Sequence, residues 1–237
     1  MIYAISDLHG HYDLYQKMLK EIDFKDRDTL YVLGDVIDRG PNPFEILFDM
    51  MKRPNVRPIL GNHDLRMLTA IESTYFNSLE EAERFRMHNQ VIDDWLYDKG
   101  AITISEYCKL NEEEKDKVKK YIKTFDLYKT LKVGDNSFFL AHTVPDTQEM
   151  KHYKDIPKED FVWGEPEYDK RYFKNAYVVT GHTPTALISR AKRGEIYKNN
   201  GHIAIDCGAF FTGILGCICL NNLKEYYVSH EVKYELD

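Results

Sequence analysis

Five times along this chain a short apolar run empties into a polar motif that carries Asp, Asn or His. Tyr3-Ala4-Ile5 leads into Ser6-Asp7-Leu8-His9-Gly10, and Tyr31-Val32-Leu33 into Gly34-Asp35-Val36-Ile37-Asp38-Arg39-Gly40. Pro58-Ile59-Leu60 leads into Gly61-Asn62-His63-Asp64, Phe138-Phe139-Leu140 into Ala141-His142, and Val178-Val179-Thr180 into Gly181-His182-Thr183-Pro184. Each run is about a strand long and is closed by breakers or polar residues. In open α/β sheets, ligands bind in the crevice beyond the carboxyl ends of the strands. A chain patterned this way is expected to fold as an α/β protein whose five motifs converge. The glycines let the backbone turn sharply and approach a ligand closely.

The residue types at those strand ends say what would be bound. Asp and His hold divalent metals, and Asn adds a neutral oxygen donor. Two metals roughly 3.5–4 Å apart, sharing a carboxylate, can bind a phosphate and activate water between them. Asp7, His9, Asp35, Asn62, His142 and His182 supply enough donors for such a pair. Singly, each motif reads as an ordinary loop: Asp7 with His9 a hydrogen-bonded pair, His142 a strand-end histidine, 181–184 a turn. Their joint order, each after a strand, is what points to a metal site.

Further apolar runs at 203–205, 216–220 and 226–228 extend the β-pattern, and Asn200-Gly201 marks a tight turn before the first of them. Leu14, Met18, Leu19 and Ile22 share one helical face, and Asn42-Pro43 opens a second helix. From 65 to about 130 the chain is charged and helical in pattern, with capping signals at Ser78/Glu81 and Asn111/Glu114. We expect one domain over 1–237 with this stretch as a helical insertion or cap. The Glu-Lys block at 112–120 reads as a solvated helix face.

A formal charge of −7 gives nucleic acid or an anionic membrane no broad electrostatic track. Cys108, Cys207, Cys217 and Cys219 have neither zinc-ribbon nor secreted-scaffold spacing; Cys217 and Cys219 read as strand residues facing one side. No signal-like start or spanning apolar run stands out. A reduced, cytoplasmic setting is the expectation, with no membrane or nucleic-acid partner and no oligomeric state indicated.

Ser6-Asp7-Leu8-His9-Gly10, the run from Gly34 to Gly40, and Gly61-Asn62-His63-Asp64 resemble the three signature motifs of phosphoprotein phosphatases. That family is a branch of the calcineurin-like metallophosphoesterases. Ala141-His142-Thr143 and Gly181-His182-Thr183-Pro184 resemble its two later histidine motifs, and Asp206-Cys207-Gly208-Ala209 its Asp-x-Gly-Ala. The resemblance runs over nearly the whole chain and is closest to compact bacterial and phage-type serine/threonine phosphatases. It implies two packed mixed β-sheets flanked by helices. It also implies two divalent metals, manganese first, with iron, zinc, nickel or magnesium also accepted. Asp7 and His9 would hold one metal, Asn62, His142 and His182 the other, and Asp35 would bridge. Metal-bound hydroxide would attack phosphate directly, His63 paired with Asp38 would be the general acid, and Arg39 would grip the phosphate.

The sequence also departs from the family pattern. Ser6 replaces a commoner Gly, and Val144-Pro145 follows where small residues are usual. The second phosphate-gripping arginine found in many members soon after a Trp is missing; after Trp163 the next arginine is Arg171, taken here as its substitute. Asp38-Arg39-Gly40 places phosphomonoester hydrolysis first, with a phosphorylated serine/threonine protein or a small phosphorylated molecule as substrate. Asp64 in place of Glu resembles the symmetrical dinucleoside tetraphosphatases (Ap4A hydrolases), the alternative. A phosphodiesterase, or a non-catalytic binding protein of the same fold, ranks lower.

Overall fold

The computed structural model describes residues 1–146 and 150–230. Its strands, in chain order, are β1 (Ile2–Ile5), β2 (Thr29–Leu33), β3 (Val56–Ile59), β4 (Tyr128–Val133), β5 (Asn136–Ala141), β6 (Tyr177–Thr180), β7 (Tyr197–Asn199), β8 (His202–Ala204), β9 (Ile214–Cys219) and β10 (Glu225–Ser229). The helices are α1 (Tyr12–Glu21), α2 (Pro43–Lys52), α3 (Asn62–Ser73), α4 (Leu79–Phe85), α5 (Gln90–Tyr97), α6 (Ala101–Lys109), α7 (Glu112–Ile122) and the single-turn α8 (Asp160–Trp163).

Two five-stranded sheets form, in the orders β10-β9-β1-β2-β3 and β4-β5-β6-β8-β7. Both are mixed: β1, β2 and β3 run parallel, as do β5, β6 and β8, while β9, β10, β4 and β7 join antiparallel. The family's expected two-sheet α/β architecture is therefore present.

Period-two alternation builds the layers, because successive side chains of a strand point to opposite faces. Tyr3, Ile5, Leu30, Val32, Cys217 and Cys219 face outward into one buried cluster with Leu14 and Met18 of α1 and Ile46 and Leu47 of α2. Their neighbours Ala4, Leu33 and Ile218 face inward and meet Phe138, Leu140, Val179 and Ile203 of the other sheet. Phe139, Ala141 and Val178, on that sheet's far face, are covered by Val144, Met150 and Phe161. The order is helices, sheet, sheet, irregular cover. With both faces apolar, strands buried this way lose the apolar–polar alternation of a half-exposed sheet.

Between β3 and β4 lie α3 to α7, and the capping signals work as read. Ser78 Oγ accepts from Glu81 N at 3.1 Å, and Asn111 and Glu114 exchange side-chain-to-backbone bonds at 3.0 Å each. The helical stretch ends earlier than its charge pattern implied, at Ile122, and β4 follows. β4, whose first residues 128–130 fell inside that stretch, carries Lys129 and Lys132. In the fold it is an edge strand, where lysines discourage pairing with another chain. Among the described residues, no helix is long and apolar enough to cross a membrane.

Candidate active site

The loops after β1, β2, β3, β5 and β6 all open at one edge, where the two sheets present the carboxyl ends of their parallel strands. Backbone bonds stitch the loops together: Asp7 N donates to Gly34 O at 3.1 Å, His9 N to Asp35 O at 2.9 Å and Gly181 N to His142 O at 2.9 Å. The turns are sharp. Asp7, His9, Asp35, Asp38, Arg39 and His182 all adopt left-handed backbone, with φ between 43° and 70°. Non-glycine residues there are uncommon and cost on the order of 1–3 kcal/mol each. Six at one edge mark a backbone held to aim side chains inward. Close approach also sets the glycines: a Cβ on Gly61 would collide with the Asp35 carboxylate, and one on Gly181 with that of Asp7.

Four donor atoms converge from both sheets. Asn62 Oδ1, His142 Nε2 and His182 Nδ1 lie 2.9 to 3.0 Å from one another, and Asp35 Oδ1 is 3.5 Å from His142 Nε2. His142 donates its Nδ1–H to Leu33 O at 2.7 Å, so its Nε2 presents a lone pair. Burial pushes the His142 imidazole below its ordinary pKa and His182 down to about 4, keeping both neutral, the form a metal needs. Among the three clustered atoms at most one proton, on His182 Nδ1, is then available to relieve lone-pair repulsion. Donors at about 2.1 Å from an octahedral ion are about 3.0 Å apart. The set fits a divalent cation.

A second group, His9, Asp35 and His63, shares Asp35 with the first. His9 donates Nδ1–H to Ile37 O at 3.0 Å and turns Nε2 toward Asp35 Oδ2 at 3.7 Å. Burial alone would raise the Asp35 carboxyl, but His142, His63, His9 and His182 outweigh it and hold it below the usual carboxylate range. Asp7, buried beside them, accepts from His182 N at 3.2 and 3.0 Å. Burial, then the charges of Asp206 and Asp35, push the Asp7 carboxyl well up; burial likewise lifts Asp206 to about 7. Crowded, desolvated carboxylates of this kind call for a cation.

His63, the second residue of α3, is fully buried. It donates Nδ1–H to Asp38 Oδ2 at 2.6 Å. Burial disfavours the imidazolium, but Asp35 and Asp38 prevail and raise its pKa. An imidazole held so can deliver a proton from Nε2. Asp38 is itself fixed from the helical segment: the Trp95 indole N–H donates to both carboxylate oxygens at 3.0 Å, and Asp38 N donates to Thr103 Oγ1 at 3.0 Å. Asp64 ties the floor together by accepting from the amides of Asp35, Val36 and Gly61.

The structure thus brings Asp7, His9, Asp35, Asp38, Arg39, Asn62, His63, His142 and His182 to one place. Arg39 Nη1 donates to His9 Nε2 at 2.9 Å, and its Nη2 lies 3.0 Å from His63 Nε2. It does not bring Arg171 there. Arg171 donates to Lys174 O at 2.9 Å and lies against Gly201, before β8 begins, at the end of the sheet opposite to His182. Trp95, Asp98 and Arg66 are site neighbours that the motifs did not reveal. Asp98 binds Arg39 at 3.2 Å and Arg66 at 2.6 Å, and Arg66 lies over the Trp163 ring at 4.7 Å. Arg66 and Trp95 sit on α3 and α5 and Asp98 just past the end of α5, where nothing in a lone Arg, Asp or Trp announces a site. His11 stays apart from the cluster, grouped with Asp13 and His230.

Comparison with known proteins agrees with this geometry. The calcineurin-like phosphoesterase family profile matches residues 1–207. The symmetrical bis(5'-nucleosyl)-tetraphosphatase of Delftia acidovorans is 41% identical over 73 residues, 30% of this chain and 26% of that protein. The enzyme of the same name from an Enterobacter species is 34% identical over 113 residues, 46% of this chain and 40% of that one. The chain therefore spans only about a quarter to two fifths of these two curated relatives. A candidate diadenosine tetraphosphatase of known crystal structure shares the fold, with TM-score 0.62 at 16% identity, covering 96% of this chain and 92% of that one. The strand-end donor cluster and the match over most of its length agree, and the chain belongs to the calcineurin-like phosphoesterase family.

Proposed function

We propose that this metallophosphoesterase hydrolyses dinucleoside polyphosphates symmetrically, splitting a dinucleoside tetraphosphate into two nucleoside diphosphates. Asp7, His9 and Asp35 would hold one divalent ion, and Asp35, Asn62, His142 and His182 the other. Manganese is the first choice, and such donors also accept iron, zinc, nickel or magnesium. When bound, the ions supply Lewis acidity at the phosphoryl oxygens and lower the pKa of water. Water oxygen forms the new P–O bond while the bridging P–O bond breaks. The electron pair leaves with the departing diphosphate, whose oxygen takes the proton from His63 Nε2. Asp38, held by Trp95, keeps that ring oriented, and Arg39 grips the non-bridging oxygens.

The observation that carries the substrate class is a row of contacts across the site mouth. Phe210 lies 5.7 Å from the Arg39 guanidinium, Arg39 and Arg66 share Asp98, and Trp163 lies under Arg66. Both aromatic rings are more than two fifths exposed. Two open aromatic platforms flanking a cationic centre suit two nucleobases flanking a polyphosphate, each stack being worth about 1–3 kcal/mol. The names of the relatives support the same reading. A serine/threonine phosphoprotein, which the motif resemblance placed first, is favoured only by Asp38-Arg39-Gly40 and remains the second reading.

The test is a side-by-side assay with added manganese. Dinucleoside tetraphosphate should give only nucleoside diphosphate, at a kcat/KM well above that for phosphopeptides. Turnover of phosphopeptides with the dinucleotide left intact would reverse the order of the two readings.

A further inference from the structure

Asp98 directly follows α5, and its carboxylate is turned toward the site. Oδ1 accepts from Arg39 Nη2 at 3.2 Å, and Oδ2 accepts from Arg66 Nη1 at 2.6 Å. Oδ2 also lies 3.3 Å from His63 Nε2. Two guanidinium groups and an imidazole thus surround one anionic group, with a geometry that matches two oxygens of a phosphoryl group. We propose that Arg39, Arg66 and His63 form the phosphate seat, and that the Asp98 carboxylate is an internal anion that fills it and must swing out before substrate enters. The proposal rests on the phosphoester-hydrolase reading above, since it names the groups that would hold the reacting phosphate.

Three observations support movement of Asp98 and persistence of the seat. The Asp98 side chain is 31% exposed, so solvent is within its reach, whereas Arg66 is only 13% exposed. Arg66 is also stacked on Trp163, so its position does not depend on Asp98 alone. Behind Asp98 the chain turns out of α5 through Lys99 at φ 69° and Gly100, beyond the last helical residue. Arg66 thereby fills the place of the second phosphate-gripping arginine that the sequence seemed to lack, from a helix rather than from the loop after Trp163.

The two variants are expected to act in opposite directions. In the metal-loaded protein, binding of inorganic phosphate is measured by calorimetry and by competition with substrate. Arg66→Ala should weaken phosphate about tenfold or more, the loss of a charge-assisted hydrogen bond, and Arg66→Lys should restore part of it. Asp98→Asn should tighten phosphate several-fold by removing the competing charge, with a lower KM for substrate. A purely structural Arg66–Asp98 bridge would lower thermal stability in both variants and would not split the affinities. Overturning results are an Arg66→Ala affinity equal to wild type, an Asp98→Asn affinity equal or weaker, or wild type that binds no phosphate. If the affinities split but dinucleoside tetraphosphate is untouched, the substrate reading fails and the seat stands; if the substrate is cleaved without the split, the seat fails alone.

Discussion

The donor cradle and the phosphate seat meet at His63 but are built from different parts of the chain. Asp7, His9, Asp35, Asn62 and His142 are each less than 5% exposed and come from strand ends. Their orientation is set by left-handed turns, backbone bonds and two packed sheets. Arg66, on α3, and Asp98, in the turn after α5, lie between β3 and β4, are 13% and 31% exposed, and are fixed mainly by each other, Arg39 and Trp163. Buried groups at strand ends cannot shift without breaking the core. Groups on helix surfaces can. The contrast makes the chemistry the rigid half of the site and the substrate grip the adjustable half.

That contrast breaks first, if anywhere, at Asp35. Asp35→Asn removes the carboxylate common to both donor groups and should lower kcat by about 10⁴-fold, the several kcal/mol that bound metal supplies. Chelator should do the same to wild type, reversibly; a variant as active as wild type in chelator would end the two-metal reading. His63→Gln keeps Asp7, His9, Asp35, Asn62, His142 and His182 in place and should cost about 10³-fold in kcat, with little change in bound metal measured by elemental analysis.

His202 tests whether the cradle's support is as rigid as its burial implies. It pairs with Thr180 at 2.8 Å and stacks on Tyr168, and burial lowers its pKa from 6.5 to about 4. The folded protein therefore resists a proton that the unfolded chain accepts. Stability from this group is full above pH 6.5 and is lost as pH falls toward 4, by roughly 3 kcal/mol in all. Urea unfolding of wild type and His202→Gln across that window should show the variant losing less.

Trp95→Phe keeps an aromatic side chain, smaller than the indole, but removes the N–H to Asp38, and should lower kcat roughly tenfold, with KM nearly unchanged. A change in KM alone would move Trp95 from the acid's support to the substrate side. Arg171→Ala should change neither constant by more than about twofold, because Arg171 lies at the other end of its sheet. A tenfold loss there would mean that the phosphate seat extends beyond the residues assigned to it.

The five strand-end motifs and their candidate donors were legible because each is written locally, whereas the two-sheet architecture was legible only through the family resemblance. An apolar run stops, a glycine turns, and a donor follows at a fixed offset. What was misread shares one cause. The helical stretch was carried to about 130, into the start of β4, because edge position is a property of the sheet, not of the strand. Arg171 looked like the missing grip because it was the next arginine along the chain, and chain distance says nothing about which end of a sheet a residue occupies. By itself the sequence determined that candidate metal donors stand at the ends of strands, since strand period and turn residues act over a few positions. Only the tertiary structure brought Arg66, and not Arg171, to the carboxylate it shares with Arg39, because Arg66, Asp98, Trp95 and Trp163 meet through packing between elements far apart in the chain.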